Sequence, residues 1–400
     1  MKQVELICIN GDGNNNKFYK MTEQNNGTWL AEWGRVGYTG QTQIYPMNQW
    51  DKKYNEKTKK GYQDITSLRS DAVSSFSYDD VADKTVQKLL ETLHKYAKQA
   101  ISDNYTISSS NVTVKQIEEA QDIINDLATH LYKLTASEVN AKLTRLYTVI
   151  PRKMKHVKFH LVESLETKEN QQFAKKLISS EQDLLDVMQQ QVSMNVQPKT
   201  AGQTLEDALG IKITHVDDTE IQMIKEMMAK TNNENVFKKA YKIENIRTQK
   251  CFDEQKPKSY KPWTKLLWHG SRNENWLNIV KTGLLLRPSG VVTTGSMFGQ
   301  GLYFADKCQK SLNYTSFKGS YWTNGKSNHA FLALYEVNTG MELRDDRHES
   351  WMYNLNDKLL KSKGEYDSFF AKGGYDLRNN EYIIYNQNQC TIKYLIEIEG

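Results

Sequence analysis

Four hundred residues, 38% of them hydrophobic, are enough for two or three domains with real cores and too apolar for a disordered chain. No apolar run approaches the roughly 18 residues of a membrane span. The four cysteines, Cys8, Cys251, Cys308 and Cys390, form no CxxC pair, which argues against a zinc knuckle or a disulfide framework and fits a reducing compartment. Lys and Arg number 53 against 48 Asp and Glu, a net +5 that permits nucleic-acid binding without establishing it. Met1 to Asn10 is a short alternating segment without a cleavage site, so no signal peptide is expected.

Glycine and tryptophan divide the chain. No Gly occurs from Tyr62 to Ala201 and no Trp from Asp51 to Pro262, while 13 of the 22 glycines follow Pro262. Gly costs about 1 kcal/mol in a helix interior, so the middle predicts helices and the end predicts turns and sheet. Residues 1–75 read as mostly strand, with Trp29, Ala31 and Trp33 alternating against Leu30 and Glu32. Trp50, Tyr54 and Lys57 sit at helical spacing, and Gly61 closes that helix.

Residues 80–245 read as mostly helix. Ile117, Ala120, Ile124, Leu127, Leu131 and Leu134 form one apolar stripe, too short for a coiled coil and suited to bundle packing. Ser108 to Asn111 supply N-cap chemistry before it. Val139, Leu143, Leu146 and Tyr147 mark the next helix, which Pro151 stops, and a third runs from about Lys168 to Met194. Gln197 to Gln203 reads as a loop. Residues 246–400 alternate short strands and helices, with strands expected over Lys265 to His269, Leu302 to Ala305, Ala330 to Val337, Glu381 to Asn386 and Thr391 to Glu397. No GxGxxG or P-loop pattern is present, so a dinucleotide would not be held by a Rossmann crossover.

Three segments of the last third carry chemistry. In Leu266-Leu267-Trp268-His269-Gly270-Ser271-Arg272 a strand ends on His, and the Gly behind it lets a ligand approach the backbone. In Met297-Phe298-Gly299-Gln300-Gly301-Leu302-Tyr303-Phe304-Ala305-Asp306, continuing to Lys310-Ser311-Leu312-Asn313-Tyr314, two tyrosines 11 apart flank a strand-to-helix turn and offer rings for a flat heterocycle. In Asn380-Glu381-Tyr382-Ile383-Ile384-Tyr385 a carboxylate opens an apolar strand. Singly, each has a plainer reading: a packed His, core tyrosines in a chain with 22 of them, a solvated strand end.

In this order and spacing the three segments resemble the poly(ADP-ribose) polymerase family, whose His-Tyr-Glu triad falls on His269, Tyr303 and Glu381. Trp33-Gly34-Arg35-Val36-Gly37, with Gly40-Gln41-Thr42, looks like the WGR domain of the DNA-dependent members. Lys115-Gln116-Ile117, Leu146 to Pro151 and Asp183 to Val187 are similar to the family's helical regulatory domain. The resemblance implies an α+β multidomain chain. It would have a β-rich WGR domain at 1–75, an all-α helical domain at 80–205, and a mixed α/β ADP-ribosyltransferase fold with antiparallel sheets at 206–400. No zinc finger, BRCT domain or long basic tail is read.

The implied reaction cleaves the nicotinamide–ribose bond of NAD+ as substrate and transfers ADP-ribose to an acceptor protein, the chain itself included, through an oxocarbenium-like transition state. The catalytic set carried over is Glu381, His269, Tyr303 and Lys310. Glu381 would lie on the ribose 2′-OH and near the nucleophile. Gly270 and Ser311 would hold the carboxamide, and Tyr303 and Tyr314 would stack the nicotinamide. His269 and Ser271 would hold the adenosine ribose, Asp186 would face the adenosine pocket, and Met297 would belong to the acceptor site. No metal is expected, because the leaving group is already cationic in NAD+. Trp33, Arg35 and Lys57 would meet a DNA end or nick, Arg35 and Lys57 through phosphate or a neighbouring domain. Met1 to Val73 holds ten basic and eight acidic residues, so composition alone shows no basic patch. A monomer when free is expected, without membrane association, nuclear in a eukaryote and otherwise cytoplasmic. Ser179 and Gln182 stand where some members are acidic, and Asn379 where an aromatic precedes the Glu, which bears on polymer length and acceptor choice. A mono(ADP-ribosyl)transferase and a silent DNA-end scaffold are the alternatives; a toxin-type Arg-Ser-Glu site is disfavoured by His269 and by the lack of Glu-x-Glu before Tyr382.

Overall fold

The computed structural model describes residues 2–66, 81–105, 112–196, 207, 209–255, 263–286 and 297–400. The boundaries expected at 75, 80, 205 and 206, the loop from Gln197 to Gln203, the caps from Ser108 to Asn111, and residues 287–296 of the stretch before Met297 lie outside the described residues. The chain forms two compact units. Among the described residues the first comprises 2–66, 98–105 and 112–196, and the second comprises the rest.

The first unit opens with an antiparallel sheet of β1 (Gln3–Asn10), β2 (Asn15–Glu23), β3 (Thr28–Arg35), β4 (Gln41–Pro46) and β5 (Gln63–Asp64), in the order β4-β3-β2-β1-β5. Alternation along β3 buries Trp29 and Ala31. Helix α1 (Trp50–Lys59) places Trp50 edge-on against Trp29, 5.3 Å between centroids, and the core closes with Leu6, Tyr19 and Met21. Gly61 follows α1 at φ +84°, as the expected helix stop requires.

Helices α2 (Lys84–Asn104), α3 (Val114–His130), α4 (Ala136–Val149) and α5 (Lys168–Val196) follow, with α2 contributing to the first unit only from Lys98. The stripe from Ile117 to Leu127 is buried as its period demands. The helix ends at His130, and Leu131–Lys133 is a tighter 3-10 turn rather than a continuation. Its cap is Thr113, two residues beyond the expected segment. Thr113 and Gln116 form a capping box, and Gln116 Nε2 reaches the Val149 carbonyl at 2.6 Å, tying α3 to the end of α4.

The second unit holds two sheets. β6 (Ile211–His215), β7 (Phe237–Asn245), β8 (Thr264–Gly270), β10 (His329–Asn338) and β14 (Cys390–Glu399) pair antiparallel in the order β6-β7-β14-β10-β8. β9 (Leu302–Phe304), β11 (Glu342–Asp345), β12 (Ser368–Ala371) and β13 (Glu381–Ile384) pair in the order β11-β12-β13-β9, with β11–β12 parallel. Helices α6 (Asp218–Ala229), α7 (Ile246–Gln255), α8 (Trp276–Thr282), α9 (Cys308–Leu312) and α10 (Asp357–Ser362) accompany them. The reading of 80–245 as mostly helical holds for α2 to α6, and β6 and β7 are strands within it that the reading did not name. Each is short or interrupted by lysines, and its apolar residues are buried by partners far along the chain, Tyr241 against Leu395 and Ile243 against Ile213. The molecule mixes helices with largely antiparallel sheets: β-rich first, helical next, α/β last.

Candidate active site

The site of the second unit forms where its two sheets touch. Trp268 on β8 and Ala305 just past β9 exchange both backbone hydrogen bonds, at 2.8 and 3.0 Å. That bridge sets His269 beside Tyr303: His269 Nδ1 lies 3.0 Å from the Tyr303 carbonyl. A carbonyl only accepts, so Nδ1 carries the proton and Nε2 keeps its lone pair. Trp276, Phe304 and Tyr335 surround the imidazole, and the desolvation they cause lowers its pKa, so the ring is neutral near pH 7.

β13 pairs with β9 in the register Ile383 to Tyr303, which carries Glu381 to the same end of the sheet. Glu381 is only 4% exposed. Its Oε1 is ion-paired to Lys310 of α9, and among the described residues its Oε2 has no hydrogen-bond partner. Burial raises the carboxyl above the usual range, and the Lys310 ammonium opposes that rise. A buried carboxylate oxygen without a partner is costly, and a ligand hydroxyl would relieve it.

Two glycines permit the close packing. A Cβ on Gly270 would lie 1.9 Å from the Ser311 carbonyl oxygen, so the end of β8 meets α9 only through a residue without a side chain. Gly299, at φ +69°, leaves room for the Leu355 carbonyl, which a Cβ would meet at 2.0 Å. The Gly299 carbonyl accepts from the Tyr303 hydroxyl at 2.7 Å, and that hydroxyl accepts from the Phe298 N–H at 3.1 Å, so the phenol end of the ring is held by two bonds. Burial and then the charges of Tyr385 and Glu381 hold the Tyr303 phenol well above its usual range. Burial and Glu381 do the same to Tyr314. Both rings therefore stand within the field of the carboxylate.

Of the residues expected from sequence, the fold thus brings His269, Gly270, Tyr303, Lys310, Ser311, Tyr314 and Glu381 together. Ser271 sits next to them, its hydroxyl accepting from Asn275 Nδ2 at 3.0 Å. Met297 packs on the core around Phe298, its carbonyl held by His348 Nε2 at 2.8 Å. Asp186 belongs to the first unit, on α5, where it accepts from Gln182 Nε2 at 2.8 Å. Trp33 and Lys57 share one ring of the first unit: Trp33 stacks on Tyr19 at 6.1 Å, and Lys57 Nζ lies 4.2 Å over it. Arg35 donates to the carbonyls of Asn14, Met154 and Lys155 at 2.8–3.0 Å.

Sequence reasoning passed over Asn380. Its Nδ2 donates to Asp306 Oδ2 at 2.7 Å and its Oδ1 accepts from the Gly373 N–H at 2.9 Å, clamping the strand of Glu381 to the strand of Tyr303. Both residues sit inside the motifs quoted above, and that was the available signal. Among the described residues no three His, Cys, Asp or Glu side chains gather as a metal-ligand set, and no helix is long and apolar enough to cross a membrane.

Residues 218–399 match the poly(ADP-ribose) polymerase catalytic domain and residues 2–69 the WGR domain. The chain is 35% identical over 189 residues to the putative poly [ADP-ribose] polymerase-like 100L of Invertebrate iridescent virus 6, covering 46% of this chain and 95% of that one. It is 33% identical over 153 residues to poly [ADP-ribose] polymerase 2 of Homo sapiens, 34% of this chain and 26% of the other. It is 25% identical over 487 aligned residues to poly [ADP-ribose] polymerase 2 of Arabidopsis thaliana, 96% of this chain and 71% of the other.

Proposed function

The chain belongs to the poly(ADP-ribose) polymerase family and is an NAD+ ADP-ribosyltransferase, and from that premise we propose that it is a DNA-break-activated polymerase modifying itself and nearby proteins. The observation that carries the catalytic part is the buried Glu381 carboxylate, one oxygen on Lys310 and the other unpartnered. In the proposed step the bond between ribose C1′ and the nicotinamide nitrogen breaks. Nicotinamide leaves with the electron pair and becomes neutral. The acceptor nucleophile bonds to C1′ and gives its proton to the Glu381 carboxylate, which passes it to solvent. Glu381 accepts from the ribose 2′-OH, stabilises positive charge developing on the sugar, and orients the nucleophile.

His269 Nε2, held as an acceptor by the Tyr303 carbonyl, takes a hydroxyl of the adenosine ribose, and Ser271 assists. Tyr303 and Tyr314 stack the nicotinamide, and Gly270 and Ser311 bind its carboxamide. Lys310 steadies Glu381, and Met297 lines the acceptor side. Asp186 keeps the adenosine role that the resemblance implies. The domain reading is WGR at 1–75, helical at 80–205 and catalytic at 206–400. In the WGR part Trp33 and Lys57 meet the DNA end while Arg35 holds the neighbouring segment. A role in DNA repair and a nuclear location in a eukaryotic host belong to the same proposal.

The test is labelled NAD+ with and without a short 5′-phosphorylated duplex, run beside Glu381→Gln. The expected result is a smear of modified protein that appears with DNA and collapses in the variant. A single-unit band would make the chain a mono(ADP-ribosyl)transferase. DNA binding without turnover would leave only a scaffold.

A further inference from the structure

Trp322 lies between α9 and β10, on a stretch that the catalytic set does not use. Its indole stacks on Tyr314, with ring centroids 6.2 Å apart and planes 24° from parallel. Tyr321 packs edge-on against its other neighbourhood, 4.8 Å away at 86°. Trp322 is nevertheless 49% exposed and Tyr321 71%.

The stretch that carries them is fixed at several points. The Trp322 N–H donates to the Asn313 carbonyl at 3.1 Å and the Lys318 N–H to the Ser327 carbonyl at 2.8 Å. Ser320 Oγ donates to the Leu312 carbonyl at 2.7 Å, and Thr323 Oγ1 donates to the Thr315 carbonyl. Asn324 adopts φ +50°, and a Cβ on Gly325 would lie 2.1 Å from the Phe317 carbonyl oxygen. The turn is therefore tied to the C-terminal end of α9 and delivers the indole to one place.

Geometry decides what the indole does there. A flat ligand between two rings needs about twice the roughly 3.5 Å contact spacing, and an offset aromatic pair spans about 4.5–7 Å between centroids. At 6.2 Å and 24°, Tyr314 and Trp322 are an offset pair in contact, not a slot for a third ring. The indole covers one face of the tyrosine and fixes its plane. The Tyr314 N–H donates to the Ser311 carbonyl at 3.1 Å, the carbonyl that Gly270 packs against, so the ring starts from the end of α9 that lines the site.

We propose that Trp322 is a positioning residue of the NAD+ site, backing Tyr314 so that its ring plane is set before the nicotinamide ring stacks on it. The proposal rests on the NAD+ reading above and adds to it a residue outside the transferred motifs. Preorganisation of this kind contributes to ground-state and transition-state binding alike, so it acts on KM more than on kcat.

The experiment measures NAD+ turnover, and nicotinamide binding by calorimetry, for the wild-type chain, Trp322→Ala and Trp322→Phe, each checked by thermal melting. Trp322→Ala is expected to raise KM for NAD+ and weaken nicotinamide about three- to tenfold, with kcat within about twofold. Trp322→Phe, which keeps a stacking ring, restores both to within about twofold. Should Trp322→Ala not fold, Trp322→Leu keeps the bulk without the plane and takes its place. An unchanged KM in an active Trp322→Ala chain overturns the inference and leaves the NAD+ reading standing. So does a Trp322→Phe chain as impaired as Trp322→Ala. A wild-type chain that neither turns over NAD+ nor binds nicotinamide overturns both together.

Discussion

Glu381 joins two demands that pull against each other. It must be ionised to take a ribose hydroxyl, yet burial raises its pKa, and among the described residues Lys310 is what holds it down. Below its pKa the carboxyl is protonated and activity is lost. The acid limb of kcat/KM is therefore expected above the ordinary carboxylate range. Lys310→Met removes the opposing charge, so the limb moves to still higher pH. A limb that stays in place across a titration from about pH 4 to 9 would show that Lys310 does not act through its charge. Gly270 sets a steric limit at the same site. Its missing Cβ would stand 1.9 Å from the Ser311 carbonyl oxygen, with the carbonyl carbon 2.8 Å away. Gly270→Ala is expected to cost about 1–3 kcal/mol in urea unfolding and to abolish turnover as α9 shifts, whereas an active, equally stable variant would mean the strand end yields freely.

Between helices of the first unit, Arg152 and Glu181 form an ion pair only 5% and 4% exposed. Arg152 also reaches the Asn104 carbonyl at 3.2 Å and lies over the Tyr105 ring. Removing one partner strands a buried charge. Glu181→Gln is expected to cost about 3–5 kcal/mol, while the double change Arg152→Met with Glu181→Leu recovers most of that loss. Additive losses in denaturant melts would contradict this. The helices themselves were legible in the sequence because an apolar stripe such as Ile117 to Leu127 is a local signal. β6 and β7 were not, since what makes them strands is pairing with each other and with β14, about 150 residues further on. The cap of α3 was displaced to Thr113 because several cap-forming residues precede it and only the reciprocal bond to Gln116 selects one. In the candidate site, His269, Tyr303 and Glu381 stood out through motif spacing. Asn380 stood inside a quoted motif, but its clamp on Asp306 joins residues 74 apart, while His348 acts on Met297 51 residues away and Trp322 lies on a turn without a motif.

Across the first unit, the β-sheet and the helical segment are joined through main-chain groups of residues 152–157. Asn16 Nδ2 donates to the Arg152 carbonyl at 2.9 Å, and Asn14 Oδ1 accepts from the Val157 N–H at 2.9 Å. Arg35 donates to the Met154 and Lys155 carbonyls, both at 3.0 Å. A guanidinium on carbonyls is worth about 1.5–3 kcal/mol. Arg35→Ala is expected to raise amide hydrogen exchange around Val157 about tenfold or more, and unchanged exchange there would show that the arginine is not the clamp. The position of β14 carries a consequence for the chain's birth. Residues 390–399 lie at the centre of the five-stranded sheet, between β7 and β10. Until they have left the ribosome, β7 and β10 have no shared neighbour, and the sheet that positions His269 cannot close. A nascent chain of this protein therefore has no finished catalytic pocket until residues 390–399 have emerged, and gains one by insertion of that single strand between β7 and β10.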